Sequence, residues 1–329
     1  MSTRRTLLTI LAVGAVLLAC AGQDPSGFPN PKGLAGGVYY VAPDGRDDNP
    51  GTLARPWRTI QHAADTLAAG DTVYIRAGTY HERVVPQHSG SAGGYITYAA
   101  YPGDVVTIDG NGIILPDDLA GLFEIAGRSY IQVSGLHIVN AGPHADNAGI
   151  LVSSSSHVTV EQCYTCHTTS SGIGVWNSEH VIIDGNEVVL ACNDGQQECI
   201  TVAGTDTFEV RNNHVHHSGP GTNGGEGIDA KDGSTSGQIY RNHVHHLNRL
   251  GIYVDAWDKP THDIAVYQNV VHDVAANGFT LASEMGGSLE RIRVYNNVAY
   301  HNRYVGISLS GCCPEAPSHP MKDIQIVNN

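Results

Sequence analysis

The chain has 329 residues, 39 of them glycine, with 15% charged and 7% aromatic side chains; this is ample for one elongated repeat domain and calls for no second core. Its 32 acidic and 18 basic residues leave a net charge of −14, and no basic stripe or RNA-reading aromatic motif appears, which argues against nucleic acid as a partner. Bulk attraction of an acidic polymer is disfavoured too, so a polyuronate would have to be held by local Arg and Lys side chains or by a divalent cation such as calcium.

Residues 1–20 carry Arg4 and Arg5, an apolar run over 7–18, and then Leu17-Leu18-Ala19-Cys20. The run is too short to span a membrane, and a small residue precedes the cysteine, so the segment reads as a bacterial export signal ending in a lipobox. It resembles the leader of lipoproteins, which implies diacylation at Cys20 and a membrane contact through that N-terminal lipid anchor. The expected location is the bacterial cell envelope, on its periplasmic or extracellular face. Thr3 to Leu8 also has something of a twin-arginine signal. Residues 21–38, rich in Gly and Pro, read as a flexible linker.

Residues 39–94 are expected to form an N-terminal cap and the first strands. Ile60, Ala63, Ala64 and Leu67 stand at i, i+3, i+4 and i+7, which predicts one short amphipathic helix between strands at 39–41 and 72–76. Laid across the first coil of a stacked fold, such a helix covers core and strand edges that would otherwise invite open-ended pairing.

Residues 95–329 are expected to be coils. Over 95–138 they are irregular, with ITYAAYPG, VTIDGNG and YIQVSGLHI as strand and turn signals. From Gly149 a unit repeats. It opens on a small residue at Gly149, Gly172, Cys199, Gly227, Gly251, Gly278 and Gly306, and closes at Cys163, Asn186, Asn213, Asn242, Asn269, Asn297 and Asn329. Openings 23 to 28 residues apart, without a helical apolar stripe, exclude helical-pair solenoids and a leucine-rich horseshoe. What remains is an all-β fold: a right-handed single-stranded parallel β-helix with a short N-terminal capping helix. Coils stacked about 4.8 Å apart align Ile150, Ile173, Ile200, Ile228, Ile252, Phe279 and Ile307 into an inner column. The Asn residues at the closing turns are expected to bond to neighbours above and below, satisfying buried turn backbone. Because the sequence stops within a repeat unit, the chain is expected to continue past Asn329.

The segment from Tyr39 onward carries Tyr40-Val41-Ala42-Pro43-Asp44-Gly45, Asn49-Pro50-Gly51-Thr52, Pro56-Trp57-Arg58-Thr59-Ile60, Gly70-Asp71-Thr72-Val73 and Gly78-Thr79-Tyr80. In this punctuation it resembles pectate-lyase-like β-helix proteins, family 9 polysaccharide lyases above all. The resemblance speaks for architecture, since a cap carries no chemistry.

Side chains that alternate with the inner column point outward. One outward column reads Leu151, Gly174, Thr201, Asp229, Tyr253, Thr280, Ser308; the next reads Ser153, Trp176, Ala203, Lys231, Asp255, Ala282, Ser310. With Glu198, Glu226 and Arg249 at the openings, the charged groups converge on three coils. They are expected to form one patch on an exposed groove wall, with Trp176, Tyr253 and Trp257 meeting substrate. The plain alternative is a solvated ladder of ion pairs such as Lys231 with Asp255.

Glu226-Gly227-Ile228-Asp229-Ala230-Lys231 resembles two lyase signatures. In family 9 the acid five residues before the Lys binds calcium, which implies metal-ligand roles for Glu226 and its neighbours Glu198 and Asp229. In family 6 alginate and chondroitin lyases the Lys is catalytic, with an Arg on the next coil, which implies roles for Lys231 and Arg249, and Asp255 stands beside them. The implied function is an exported carbohydrate-active protein that cleaves uronate-containing polysaccharide by calcium-assisted β-elimination; the alternative is a non-catalytic glycan-binding or surface-structural β-helix. Departures from family 9 are clear: Arg249-Leu250-Gly251-Ile252-Tyr253 replaces its three-acid calcium segment, and Asn277-Gly278-Phe279-Thr280 lacks its catalytic Lys. Relative to family 6, Gly224 and Asp232 stand where a second acid and a Ser belong. Asp229 and Asp255 are also expected to raise the pKa of Lys231. The signatures of polygalacturonases and of mannuronan epimerases are absent.

Two further groupings remain. Cys192 and Cys199 can close the loop between them, and Cys163-x-x-Cys166 has half of a metal-site spacing, while Cys312 and Cys313 have no assignable partner. His214, His216, His217, His243, His245, His246, His272 and His301 recur just after the Asn column, as a solvent-facing ladder or as stacked imidazoles for zinc or copper.

Overall fold

The computed structural model describes residues 36–219, 224–311, 314–316 and 318–329; Cys20 and the leader, Cys312 and Cys313 lie outside them. The described chain is a right-handed parallel β-solenoid of about nine turns. Its coils build three parallel sheets, of twelve, nine and eight strands, called here the first, second and third sheet. One coil shows the path: Ile228–Lys231 lies in the third sheet, Thr235–Tyr240 in the first, His243–His245 in the second, and Ile252–Ala256 starts the next coil.

The inner column forms as the period implies. Ile150 pairs with Ile173, Ile173 with Ile200, Ile200 with Ile228, Ile228 with Ile252, and Ile252 with Phe279. All are buried, each contributing about 1.5–3 kcal/mol of transfer free energy to a core no single coil could close. The small opening residue has its own cause. A Cβ at Gly227 would lie 2.5 Å from the carbonyl oxygen of Gly251, and one at Gly251 would lie 2.4 Å from that of Gly278. The chain passes too close to the next coil for a side chain there.

Every closing Asn joins a ladder. The Asn186 side-chain amide donates to Asn213 Oδ1 at 3.0 Å, and the same bond runs from Asn213 to Asn242, Asn242 to Asn269, and Asn269 to Asn297. The residue before Asn213, Asn242 and Asn269 turns the corner in a left-handed conformation although it is not glycine: φ is 54° at Asn212, 56° at Arg241 and 55° at Gln268, while before Asn186 the corner falls on Gly185. Such a residue costs about 1–2 kcal/mol, which the ladder bonds offset. Cys163 takes the ladder position one coil earlier, and its backbone N–H donates to Asn186 Oδ1.

The expected helix is Ile60–Thr66, with Ile60, Ala63 and Ala64 buried against the core. Its start is closed by Thr59, whose hydroxyl accepts from His62 N, and by the Glu82 carboxylate, which accepts from the backbone N–H of Ile60 and Gln61. The cysteines do not form the metal pair: Cys163 is buried in the core, the Cys166 sulfur lies 2.9 Å from His167 Nδ1, and no metal-ligand grouping among the described residues contains them. Cys192 and Cys199 are buried thiols with their sulfurs 4.0 Å apart.

Candidate active site

The outward face of the third sheet lines a cleft of about 500 Å³. The strand register that builds it places Thr201, Asp229 and Tyr253 side by side, then Ala203 beside Lys231. Lys231, Arg249 and Asp255, expected to carry chemistry, Trp176, Tyr253 and Trp257, expected to meet substrate, and Glu198, Glu226 and Asp229, expected to bind calcium, all line it.

Two expectations about this face are corrected. The acids are not on an exposed wall: Asp229 is 1% exposed, Asp255 4%, and Glu198 and Glu226 5% each. Longer side chains reach across to two of them, Lys231 to Glu198 and Arg249 to Glu226. Nor does Lys231 pair with Asp255 in a solvated ladder. Its neighbour on the preceding coil is Ala203, which leaves room for the chain to reach Glu198 Oε1 at 2.7 Å and Gln197 Oε1 at 3.0 Å.

The other acids are partly committed as well. Glu198 also accepts from the Thr201 hydroxyl at 2.8 Å, and Glu226 accepts from Arg249 Nε at 2.7 Å. The Tyr253 hydroxyl donates to Glu284. Asp229 and Asp255 are different: each keeps a buried Oδ1 with no hydrogen-bond partner among the described residues, as does Asp232, whose other oxygen accepts from Lys259 Nζ at 3.2 Å.

Six carboxyl groups, those named and Asp232, thus face three cations, Lys231, Arg249 and Lys259, and the charge balance shows in the titration. Burial, and next the neighbouring Glu198, push the Glu226 carboxyl up to about 7. Burial raises Asp229 well above the carboxylate range, with Asp255 adding to it; burial and then Glu284 do the same to Asp255. Burial pulls Lys231 down, yet Glu198 and Asp229 together outweigh it, so the ammonium is held above its ordinary value as expected.

This donor set fits a hard divalent cation. Orphaned, buried carboxylate oxygens in an excess of negative charge are costly alone and are what calcium coordinates. The fit centres on Asp229 and Asp255, because Glu198 and Glu226 already hold Lys231 and Arg249. Of the three residues expected to bind calcium, Asp229 alone keeps a buried, unpartnered oxygen.

Trp176 folds back along its strand, where a Cβ at Gly174 would lie 2.0 Å from the indole; glycine makes room for the ring. Trp257 is 45% exposed. Sequence reasoning missed Glu284 and Gln197, which also line the cleft. A signal for Glu284 existed: Ala256 pairs with Ser283, so the residue after each, Trp257 and Glu284, are neighbours on adjacent coils. Gln197 precedes a column member inside a loop, and nothing in the repeat marks it.

A fold built this way, with this cleft, has relatives. Residues 39–309 match the model of the Pel9A-like right-handed β-helix region. The chain belongs to this Pel9A-like family. Its β-helix is 31% identical over 314 residues to the uncharacterized protein YwoF of Bacillus subtilis (strain 168), covering 84% of this chain and 65% of YwoF. It is 33% identical over 153 residues to the pectate lyase PEL9 of Emericella nidulans, covering 43% of this chain and 36% of PEL9. The chain therefore spans less than two thirds of either relative. Among solved structures, pectate lyase Pel9A superposes with a TM-score of 0.51 at 16% identity, over 86% of this chain and 78% of that one, a likeness of fold. The Pel9A-like assignment agrees with the architecture read from the cap motifs and the coil period.

Proposed function

We propose that the cleft binds a uronate-containing polysaccharide and cleaves it by β-elimination with the help of a divalent cation, calcium by the chemistry of its donors. One observation carries this reading: Asp229 and Asp255 bring buried, unpartnered carboxylate oxygens into a groove that also presents an ammonium and a guanidinium. Membership of the Pel9A-like family and the likeness to PEL9 support the substrate class.

Asp229 and Asp255 would hold the cation, which when bound supplies positive charge to steady a uronate carboxylate as electron density moves onto it. Lys231 and Arg249 orient the acidic sugar. Lys231 acts as a clamp, because Glu198 and Asp229 keep it protonated. Glu226 suits the proton transfer: its carboxyl titrates near neutrality, and Arg249 holds it at 2.7 Å. It takes the proton α to the uronate carboxylate, the freed electron pair becomes a carbon–carbon double bond as the bond to the β glycosidic oxygen breaks, and that oxygen takes a proton from solvent. Trp176 and Trp257 offer flat faces for sugar rings. In this assignment Glu226 moves from metal ligand to base, Asp255 from chemistry to metal ligand, and Lys231 and Arg249 from chemistry to holding the substrate.

A second reading is favoured by one observation: all three cations of the cleft are already ion-paired, as in a cleft that binds glycan without cutting it. The test incubates the protein with polygalacturonate, alginate and chondroitin, with calcium or with chelator, and follows unsaturated-product absorbance. Expected is calcium-dependent product from at least one polymer, lost in Glu226→Gln and strongly reduced in Lys231→Ala. New reducing ends without unsaturated product overturn elimination in favour of hydrolysis. Retention of polymer with no product from any of them leaves the binding reading. The proposal extends to place: export and lipid anchoring at Cys20 would put this cleft at the cell envelope.

A further inference from the structure

The second sheet, away from the cleft, turns a different chemistry outward. Its inner residues Val188, Val215, Val244 and Val271 are buried in the core. On either side of them the register stacks Glu187, His214 and His243 in one column and His216, His245 and His272 in the next. His217, His246 and Asp273 follow at the corner, each with positive φ.

Stacking alone accounts for part of this. His216 and His245 are parallel with centroids 5.2 Å apart, as are His245 and His272 at 4.9 Å. The tyrosines Tyr240, Tyr267 and Tyr295 stack in the same way on the first sheet. Tyrosine ladders have no reason to bring nitrogens edge to edge, and the histidines do so repeatedly. His214 Nε2 lies 2.8 Å from His245 Nε2, and His243 Nε2 lies 2.8 Å from His272 Nε2. His245 Nδ1 lies 2.7 Å from His246 Nδ1. A neutral imidazole has one N–H and one lone pair, so each contact shares a single proton between two nitrogens that are both able to ligate.

The carboxylates that the sequence did not place are present at both ends. Glu187 Oε1 lies 3.1 Å from His216 Nε2, and Asp273 Oδ2 lies 2.7 Å from His272 Nδ1. Three trios result, each with its ligand atoms within 4.8 Å of one another: His214, His243 and His245; Glu187, His214 and His216; His246, His272 and Asp273. Zinc bonded to nitrogens at about 2.0–2.1 Å needs those nitrogens some 3.4 Å apart, which small ring movements provide. His243 and His246 are exposed and His214 and His245 half-buried, so an ion reaches the lattice from solvent.

We propose that this histidine lattice is a binding site for a borderline transition-metal ion, zinc or copper(II), seated first on His214, His243 and His245 with Glu187 and Asp273 completing the neighbouring positions. Imidazole donors select such ions over calcium and magnesium. The site lies on another sheet from the cleft and does not depend on the function assigned to it.

The test uses the full chain without a histidine tag. Zinc, copper(II) and calcium are titrated by calorimetry, and cobalt(II) is added as a spectroscopic stand-in. Expected are zinc and copper binding, visible cobalt bands of nitrogen ligation, and affinity at least tenfold weaker in His214→Asn/His245→Asn. A second variant, His157→Asn/His180→Asn, removes another pair of neighbouring imidazoles, on the first sheet, and should bind zinc as the wild type does. Equal zinc affinity in the wild type and in folded His214→Asn/His245→Asn, as judged by circular dichroism, overturns the proposal. So does cobalt binding without nitrogen-ligation bands. If the lattice variant does not fold, Glu187→Gln and Asp273→Asn decide: together they should weaken zinc severalfold, and no change counts against the site.

Discussion

Two buried polar systems ride on the same coils and end in opposite states. In the asparagine ladder every amide is matched: Asn242 donates to Val210 O and Asn269 Oδ1 and accepts from the backbone and side-chain nitrogens of Asn213. In the cleft, Asp229 and Asp255, equally buried, keep oxygens with no partner. Burial is the same and satisfaction is not. A polar group closed off with all its bonds made serves the scaffold; one closed off with a bond missing is held at a cost by the rest of the fold and is free for a ligand.

The contrast can be broken or sharpened by experiment. The largest effect should come from Lys231→Ala, which strips Glu198 of its buried partner; denaturant unfolding should show a loss of about 3–5 kcal/mol, and product formation should fall with it. Asn242→Ala removes four bonds at once and should cost about 3 kcal/mol in the same assay, while the folded fraction keeps its activity. Asp229→Asn should do the reverse: the melting midpoint without calcium rises by a few degrees, and activity is lost. If Asp229→Asn destabilises as Asn242→Ala does, the two systems are alike and the contrast fails.

Acidity gives a smaller signal of defined sign. Glu226 has an ordinary value of 4.5 and a folded value of about 7, so the folded state binds the extra proton. Its contribution is fully present below the ordinary value and is lost as pH rises through the folded one. Melting midpoints in chelator should therefore fall between about pH 5 and about pH 8, and Glu226→Gln should flatten that slope. Smallest of all, Arg241→Gly relieves a left-handed corner and should stabilise by up to about 1 kcal/mol in thermal unfolding.

The sequence made the scaffold legible because its determinants are local and periodic. Ile228 faces inward whatever lies around it, and Gly227 must be small because the next coil passes over it. The site was legible at the level of columns: strand alternation alone puts Asp229, Lys231, Tyr253 and Asp255 on one face. What it did not reveal was where flexible side chains end. Lys231 is flanked by coils on both sides, and its choice of Glu198 over Asp255 depends on the space above Ala203. The pairing of the buried Glu198 and Glu226 with Lys231 and Arg249 depends on where long side chains fold, a property of rotamers and not of spacing. Glu284 lies one residue past its strand and reaches the cleft because the pairing of Ala256 with Ser283 sets it beside Trp257.

The ladder also has a direction. From Asn186 through Asn269, each side-chain amide donates one N–H to the Asn of the next coil toward the C-terminus and the other to a backbone carbonyl of the coil before. A coil that slipped by two residues would keep its valines inside, so oily packing would tolerate the mistake. The amides would not, since each would lose its opposite number. The row thus locks every coil to its neighbour at one setting, and the groups of the cleft, delivered by five separate turns of chain, are brought into alignment by bonds made elsewhere on the coil.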